Sequence, residues 1–393
     1  MEQDNRIFTK RFISLFLTNM AVFFVFYGLV TTLPLYAIGV LGRSDDESGL
    51  LVTVFLLSAI FMRPFSGKLL DLFGKKRLLV ISLFFYLVCT VLYLFFKPFA
   101  LLLALRFFQG IWFSIATTAA GSLAADIVPE NRKGTGLGYF TMSTNLAVVL
   151  GPFIGLLVIQ YANFNVLFII LAIIVSVGAL LALFLQTGDL AQPINEKKSL
   201  KFTFDDLFER KALPLAILAS LIAFAYASVL SFLSLYAEQQ DLLSVASYFY
   251  AVFAASMISI RPFTGKIYDT FGAKFIIIPS FVLFAVGLSM LANAEGTLLF
   301  LLSAIFIGAG YGTLTTSFQS LCIQATSPKR SGYATATYFT LFDIGIALGS
   351  YILGMVAVSM SYQSVYYLSA VLIIFVLIVY LILLVRKNPN VNN

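Results

Sequence analysis

The charged and polar residues inside the apolar runs of this chain are few enough to be read one by one. Asp343 lies about eleven residues into a long apolar run, roughly 16 Å along if that run is helical. It is the one acid near the middle of any such run. An acid at that depth suits a proton carrier, and its alternative is a hydrogen bond to a neighbouring helix. Arg106 stands about six residues into another run, and Gln109 follows one turn later on nearly the same face. An arginine inside a membrane is costly and is a functional candidate by default. Its alternative is a side chain that snorkels to the nearer interface. There is no His, and the two Cys, Cys89 and Cys322, sit apart in apolar runs. A transition-metal site is not expected, nor is a hydrolytic enzyme, since no Ser or Cys stands beside a base. No cofactor is expected.

A second group is written twice. RPFSGKLLDLFGKKR, residues 63–77, returns 198 residues later as RPFTGKIYDTFGAKF, residues 261–275. Gly67 and Gly74 allow a tight turn between two helices. Asp71 is suited to accept hydrogen bonds from a helix N-terminus. Lys75, Lys76 and Arg77 hold the loop at the lipid surface, and Asp126 is the partner expected for Arg77. In the second copy Asp269 repeats Asp71, but Ala273 and Phe275 replace basic residues, so its contact is expected to be the weaker one. The register of 198 extends further: Gly110 and Gly308, Arg132 and Arg330, Gly134 and Gly332, Asn145 and Asp343, and Gly151 and Gly349 are mates.

The elements that position these residues follow from composition. Hydrophobic residues fill 60% of 393 positions and charged residues only 11%, so lipid must be the solvent for most of the chain. Apolar runs broken by short polar turns give twelve spans, roughly 12–36, 48–66, 78–96, 100–126, 134–160, 164–186, 212–236, 244–264, 276–292, 297–325, 332–358 and 363–385. Helices are expected, because a run of that length must satisfy its own backbone in lipid. The polar N-terminal segment carries no cleavage signal after its first apolar run, which reads as the first span. With the N-terminus placed in the cytoplasm, 22 of the 25 Lys and Arg fall on the inner side, and only Arg43 and Lys97 fall outside. That asymmetry sets both termini inside and accounts for the +7 net charge without nucleic acid. Residues 187–211 form a cytoplasmic linker between six-helix halves at 1–186 and 212–393. The fold expected is all-α, with twelve transmembrane helices in two pseudo-symmetric bundles.

GKLLDLFGKKR, RFFQG at 106–110 and LGPFIG at 150–155 together resemble the loop 2–3, fourth-helix and fifth-helix motifs of the major facilitator superfamily, in its twelve-helix drug:proton antiporter-like group. The resemblance spans essentially the whole chain, although Leu156 stands where a second Gly is common. It implies that Gly67, Asp71, Gly74, Arg77 and Asp126 latch one conformational state, and that Arg106 serves proton coupling or cargo contact. It implies that Gly151, Pro152 and Gly155 shape the fifth helix as in exporters, where the alternative is close packing alone. It also implies that the first, fourth, seventh and tenth helices line the cargo path, with Asn19, Tyr27, Arg106, Gln109, Trp112, Tyr226, Tyr311 and Gln319 as the candidate residues. Each of these can equally be packing between helices. Many relatives carry an acid in the first helix; here Asn19 is the polar group, and a pocket with Arg106 and no facing acid leans towards anionic, zwitterionic or neutral cargo. The function so implied is a proton-coupled exporter of a small organic molecule, a drug-like amphiphile or a metabolite or metallophore. It would work as a monomer by alternating access in a bacterial plasma membrane. The alternatives are an importing symporter or uniporter and, more remotely, a non-transporting membrane sensor.

Overall fold

The computed structural model describes residues 6–43, 45–186 and 207–387. Twelve long helices run through the described residues, and no strand occurs among them. They are α1 (Lys10–Gly39), α2 (Asp45–Phe73), α3 (Lys75–Leu92), α4 (Phe99–Ile127), α5 (Lys133–Tyr161) and α6 (Phe164–Leu183), then α7 (Leu213–Gln239), α8 (Leu243–Phe271), α9 (Lys274–Ala292), α10 (Thr297–Gln324), α11 (Ser331–Ser359) and α12 (Tyr362–Lys387). Ten of them are long and apolar enough to cross a membrane. The other two are α3, which opens on Lys75, Lys76 and Arg77, and α8, which carries Arg261, Lys266 and Asp269 in its final turns. Each helix agrees with one of the twelve apolar runs, and α2 and α8 extend about two turns beyond theirs, through the repeated charged motif.

Local chemistry explains the boundaries. The Thr9 side chain caps α1 through the Phe12 N–H, and Asn163 caps α6 through the Val166 N–H. Between α2 and α3 the backbone turns at Gly74 with φ of 84°, and between α8 and α9 it turns at Gly272 with φ of 92°. Both lie where a side chain would strain the backbone, and the two glycines are repeat mates.

Contacts divide the chain into two compact units. Unit 1 comprises Met1–Arg132, Tyr139–Arg210 and Thr326–Phe339; unit 2 comprises Lys133–Gly138, Lys211–Ala325 and Thr340–Asn393. The first turns of α11 therefore pack with the first unit and the first residues of α5 with the second. Within unit 1, α4 packs on α1, α2 and α3, and α6 on α1 and α3. Within unit 2, α10 packs on α7, α8 and α9, and α12 on α7 and α9, the same arrangement.

The duplication holds at the level of single contacts. A Cβ on Gly110 would meet the Phe55 carbonyl, and one on Gly308 would meet the Phe253 carbonyl at 2.5 Å. The two glycines are 198 apart, and so are the two phenylalanines. Phe55, Tyr86 and Phe113 form an aromatic cluster in unit 1, with Phe55 and Tyr86 centred 5.2 and 6.3 Å from Phe113. Their mates Phe253, Phe284 and Tyr311 do the same in unit 2, at 6.2 and 5.7 Å from Tyr311. The first helix of each half runs in a register of 200 instead. Phe26 joins the first cluster and Tyr226 the second. Tyr36 packs on Phe168 as Tyr236 packs on Tyr366. The α7–α8 connection is two residues shorter than the α1–α2 connection, which restores the register of 198.

Candidate functional site

Three groups of polar residues stand out from the hydrocarbon packing. The first surrounds Arg106, which is fully buried. Its Nε donates to the Leu51 carbonyl of α2 at 2.9 Å, and its Nη1 donates to Gln109 Oε1 at 3.0 Å. The guanidinium lies over the Phe55 ring, 4.3 Å from its centre. Gln109 Oε1 also accepts from the Tyr93 hydroxyl at 2.9 Å, and Gln109 Nε2 donates to Thr90 Oγ1 at 3.2 Å. Arg106 therefore does not snorkel. It is held inside unit 1 by α2, α3 and its own helix.

The second group gathers at the end of the helices where α2 passes into α3. Gly67 lies inside α2 rather than in the turn, and a Cβ there would come 2.9 Å from the Tyr333 Cα. Its smallness admits the start of α11. Tyr333 donates its hydroxyl to Asp71 Oδ2 at 3.1 Å. Lys75 Nζ meets Asp126 Oδ2 at 2.5 Å and donates to Ser331 Oγ at 2.8 Å, and Ser331 also bonds Asp126 and Ser122. Arg77, expected to pair with Asp126, is exposed. Residues 75 and 77 are about 200° apart around a helix, so only one of them can face α4, and Lys75 does. Glu209, at the end of the linker, pairs with Arg330 and takes its backbone N–H to Thr337 Oγ1 at 2.8 Å. Arg330 in turn lies over the Tyr333 ring.

The mate of this group is equally built. Gly265 would place a Cβ 2.9 Å from the Thr135 Cα, and Thr135 is the repeat mate of Tyr333. Asp269 accepts from the N–H groups of Gly134 and Thr135 at 2.9 and 3.0 Å and from the Thr135 hydroxyl. These are two of the four free donors in the first turn of α5, whose own N-cap residue Arg132 offers no side-chain cap. The second acid was expected to have the weaker contact. It makes two backbone bonds at a helix N-terminus, because the Ala273 and Phe275 substitutions affect only the basic arm. That arm, Lys75 to Asp126, belongs to unit 1: the mates are Ala273 and Gln324.

The third group comprises the remaining candidates. Asn19, buried on α1, donates to Ser143 and Thr144 of α5 at 2.7 and 3.2 Å. Gly151 and Gly155 bring α5 against α1, where a Cβ would come 2.9 Å from the Phe24 carbonyl or the Thr32 side chain, and Pro152 lies inside the same helix. Gly349 repeats the approach against the Phe224 carbonyl. Tyr27 is half-buried beside Phe23 and Phe26. Trp112 turns to α3 instead of α1 and stacks on Phe85 at 4.5 Å, so the structure does not bring it to the other candidates. Tyr226 and Tyr311 stack at 3.8 Å. Gln319 is buried on α10, and Asp343 is half-buried on α11, the thirteenth residue of that helix.

The family model of the Major Facilitator Superfamily matches residues 15–350 and 244–393. The chain belongs to this superfamily. An uncharacterized MFS-type transporter of Methanocaldococcus jannaschii is 27% identical over 362 residues, covering 90% of this chain and 93% of that protein. The quinolone resistance protein NorA of Staphylococcus aureus is 30% identical over 143 residues, 36% of this chain and 37% of its own length. Among solved structures, the Escherichia coli fucose:proton symporter FucP superposes with a TM-score of 0.78 at 16% identity, covering 95% of this chain and 98% of that one. The human organic anion transporter MFSD10 gives 0.77 at 14%, covering 94% and 98%. These structures share the superfamily's fold.

The superfamily assignment makes this chain a multi-pass membrane transporter and not an enzyme. Sequence reasoning missed Tyr93, Thr90, Tyr333, Ser331 and Glu209. Tyr93 and Thr90 look like any polar residues of an apolar run. Tyr333 and Glu209 carried a signal: one is the mate of Thr135, and the other ends the polar linker.

Proposed function

We propose that the protein is a proton-coupled exporter of small organic molecules, working by alternating access in a bacterial or archaeal plasma membrane with both termini in the cytoplasm. The observation that carries this reading is the pair of duplicated helix-start contacts, Gly67 and Asp71 on α11 and Gly265 and Asp269 on α5. Each joins two helices of one unit through a few polar bonds and a close approach at a glycine. Contacts of that kind separate and reform at modest cost, as a gate must. Residues 1–186 and 212–393 are then the moving halves, joined by the 187–211 linker.

Proton coupling is supported by Asp343, an acid in mid-span and only half-buried. An acid at that depth favours a cationic or neutral amphiphile. The partial likeness to a quinolone resistance protein supports export. Cargo residues are proposed as Tyr27, Tyr226, Tyr311 and Gln319, around a single transporting chain. The test is proteoliposomes carrying a pH dye, to which ethidium is added as a lipophilic cation and fluorescein as an organic anion. Ethidium-driven proton movement, lost in Asp343→Asn, is expected. Proton movement driven in the cargo's own direction would instead establish a symporter, and cargo movement without protons a uniporter.

A further inference from the structure

We propose that Tyr93 and Thr90 are positioning residues for the coupling step, fixing the guanidinium of Arg106 through Gln109; the proposal rests on the proton-coupled reading above. The hydrogen bonds leave little freedom in how this group is arranged. Thr90 donates its hydroxyl proton to the Tyr86 carbonyl at 2.8 Å. Its oxygen can therefore only accept from Gln109, which turns the Gln109 amide nitrogen towards α3. Arg106 has donors alone, so it requires the amide oxygen, and the Tyr93 hydroxyl must then donate to the same atom. Both lone pairs of Gln109 Oε1 are occupied, and the side chain that aims Arg106 is held from two sides.

The second unit shows that the fold does not need this arrangement. The mates of Leu51, Thr90, Tyr93, Arg106 and Gln109 are Phe249, Leu288, Leu291, Ala304 and Ile307. All five are fully buried, in the same packing of α8, α9 and α10 that α2, α3 and α4 adopt. One half fills the site with hydrocarbon. The other places there a charged group with one nitrogen, Nη2, that has no hydrogen-bond partner. A buried charge solvated by neutral groups is expensive, and a nearly identical scaffold does without it. Its retention in one half is explained by a task that the other half lacks, and holding a fixed positive charge for the coupling step is such a task.

The test uses the full-length protein in proteoliposomes, with ethidium as the probe and a pH dye inside. Tyr93→Phe removes one hydroxyl without changing volume, Thr90→Val removes the acceptor, and Thr90→Ser restores it. Losing one buried hydrogen bond is expected to slow ethidium-driven proton movement by about fivefold in Tyr93→Phe and Thr90→Val. Thr90→Ser should recover it, and the ethidium concentration giving half-maximal rate should change by less than about twofold in all three. Variants that lose rate and half-saturation together with melting temperature, or that retain the full rate, overturn the positioning role. A wild-type protein that exports ethidium without moving protons overturns the coupled reading and this inference together. Intact wild-type coupling with unaffected variants overturns the inference alone.

Discussion

A Cβ on Gly67 would lie 2.9 Å from the Cα of Tyr333, and one on Gly265 would lie 2.9 Å from the Cα of Thr135, the residue 198 positions before Tyr333. The two copies of one motif thus press against two copies of one helix start. Neither neighbour is the tip of a flexible side chain; each is backbone. Alanine at either glycine must push the partner helix away, and larger residues more so. Gly67→Val and Gly265→Val are each expected to weaken the state described here. Limited proteolysis, or labelling of a cysteine placed at Ser331 or Lys133, should show the helix starts more accessible, and cargo-driven transport should fall. Equal protection in variant and wild type would show that these contacts do not hold the helix starts.

Asp71 and Asp269 test whether the two contacts matter equally. The sequence ranks Asp71 first, because only its copy keeps the basic tail. The structure gives Asp269 the N–H groups of Gly134 and Thr135 as well as a hydroxyl. An asparagine there keeps the size but loses the charge that a helix N-terminus favours, at a cost of about 1–2 kcal/mol. Asp269→Asn is expected to lower the melting temperature by a few degrees and to reduce transport at least as much as Asp71→Asn does. Thermal melts in detergent and transport in vesicles from the same preparation give the comparison.

Lys75 and Arg77 separate an ion pair from a surface anchor. Lys75 reaches Asp126 and Ser331 in a site that is largely shielded, and Arg77 is exposed. A shielded pair that also bonds a third helix loses more on truncation than a surface charge, for which the usual effect is 0–1 kcal/mol. Lys75→Ala should cut the transport rate severalfold and Arg77→Ala by less than about twofold. The reverse order would place the latch on Arg77 after all.

Twelve helices and their duplication were readable because lipid imposes long apolar runs and because a repeated charged motif stands out against them. The Gly74 turn was readable from the same motif, since its positive φ demands the residue type. The partner of Asp126 was not, because whether Lys75 or Arg77 faces α4 depends on the phase of α3, which one residue can shift by 100°. The direction of Trp112 is hidden for the same reason: it turns to α3 beside Phe113, which turns to α1. The burial of Arg106 was hidden too, since a position near a helix end is compatible with snorkelling until the Leu51 carbonyl and Phe55 ring are seen to receive it.

The contrast between halves around Arg106 gives a prediction that separates stability from function. Thr90→Leu, Tyr93→Leu, Arg106→Ala and Gln109→Ile together write the residues of unit 2 into unit 1. The exchange removes a buried charge and its polar neighbours and supplies hydrocarbon that already packs between equivalent helices. Replacing a buried ionic group with well-packed apolar residues is often neutral or stabilising by about 1–4 kcal/mol. The volumes do not match perfectly, because Phe249 stands where unit 1 has Leu51, and Leu51→Phe completes the set. The fivefold variant should therefore express, insert and melt no lower than wild type, while moving neither protons nor ethidium against a gradient. A variant that unfolds would mean that the network holds unit 1 together. A stable variant with normal transport would mean that the network is dispensable. Stability without coupling is the outcome expected if one half of a duplicated fold has been given a charge for work that its twin does not do.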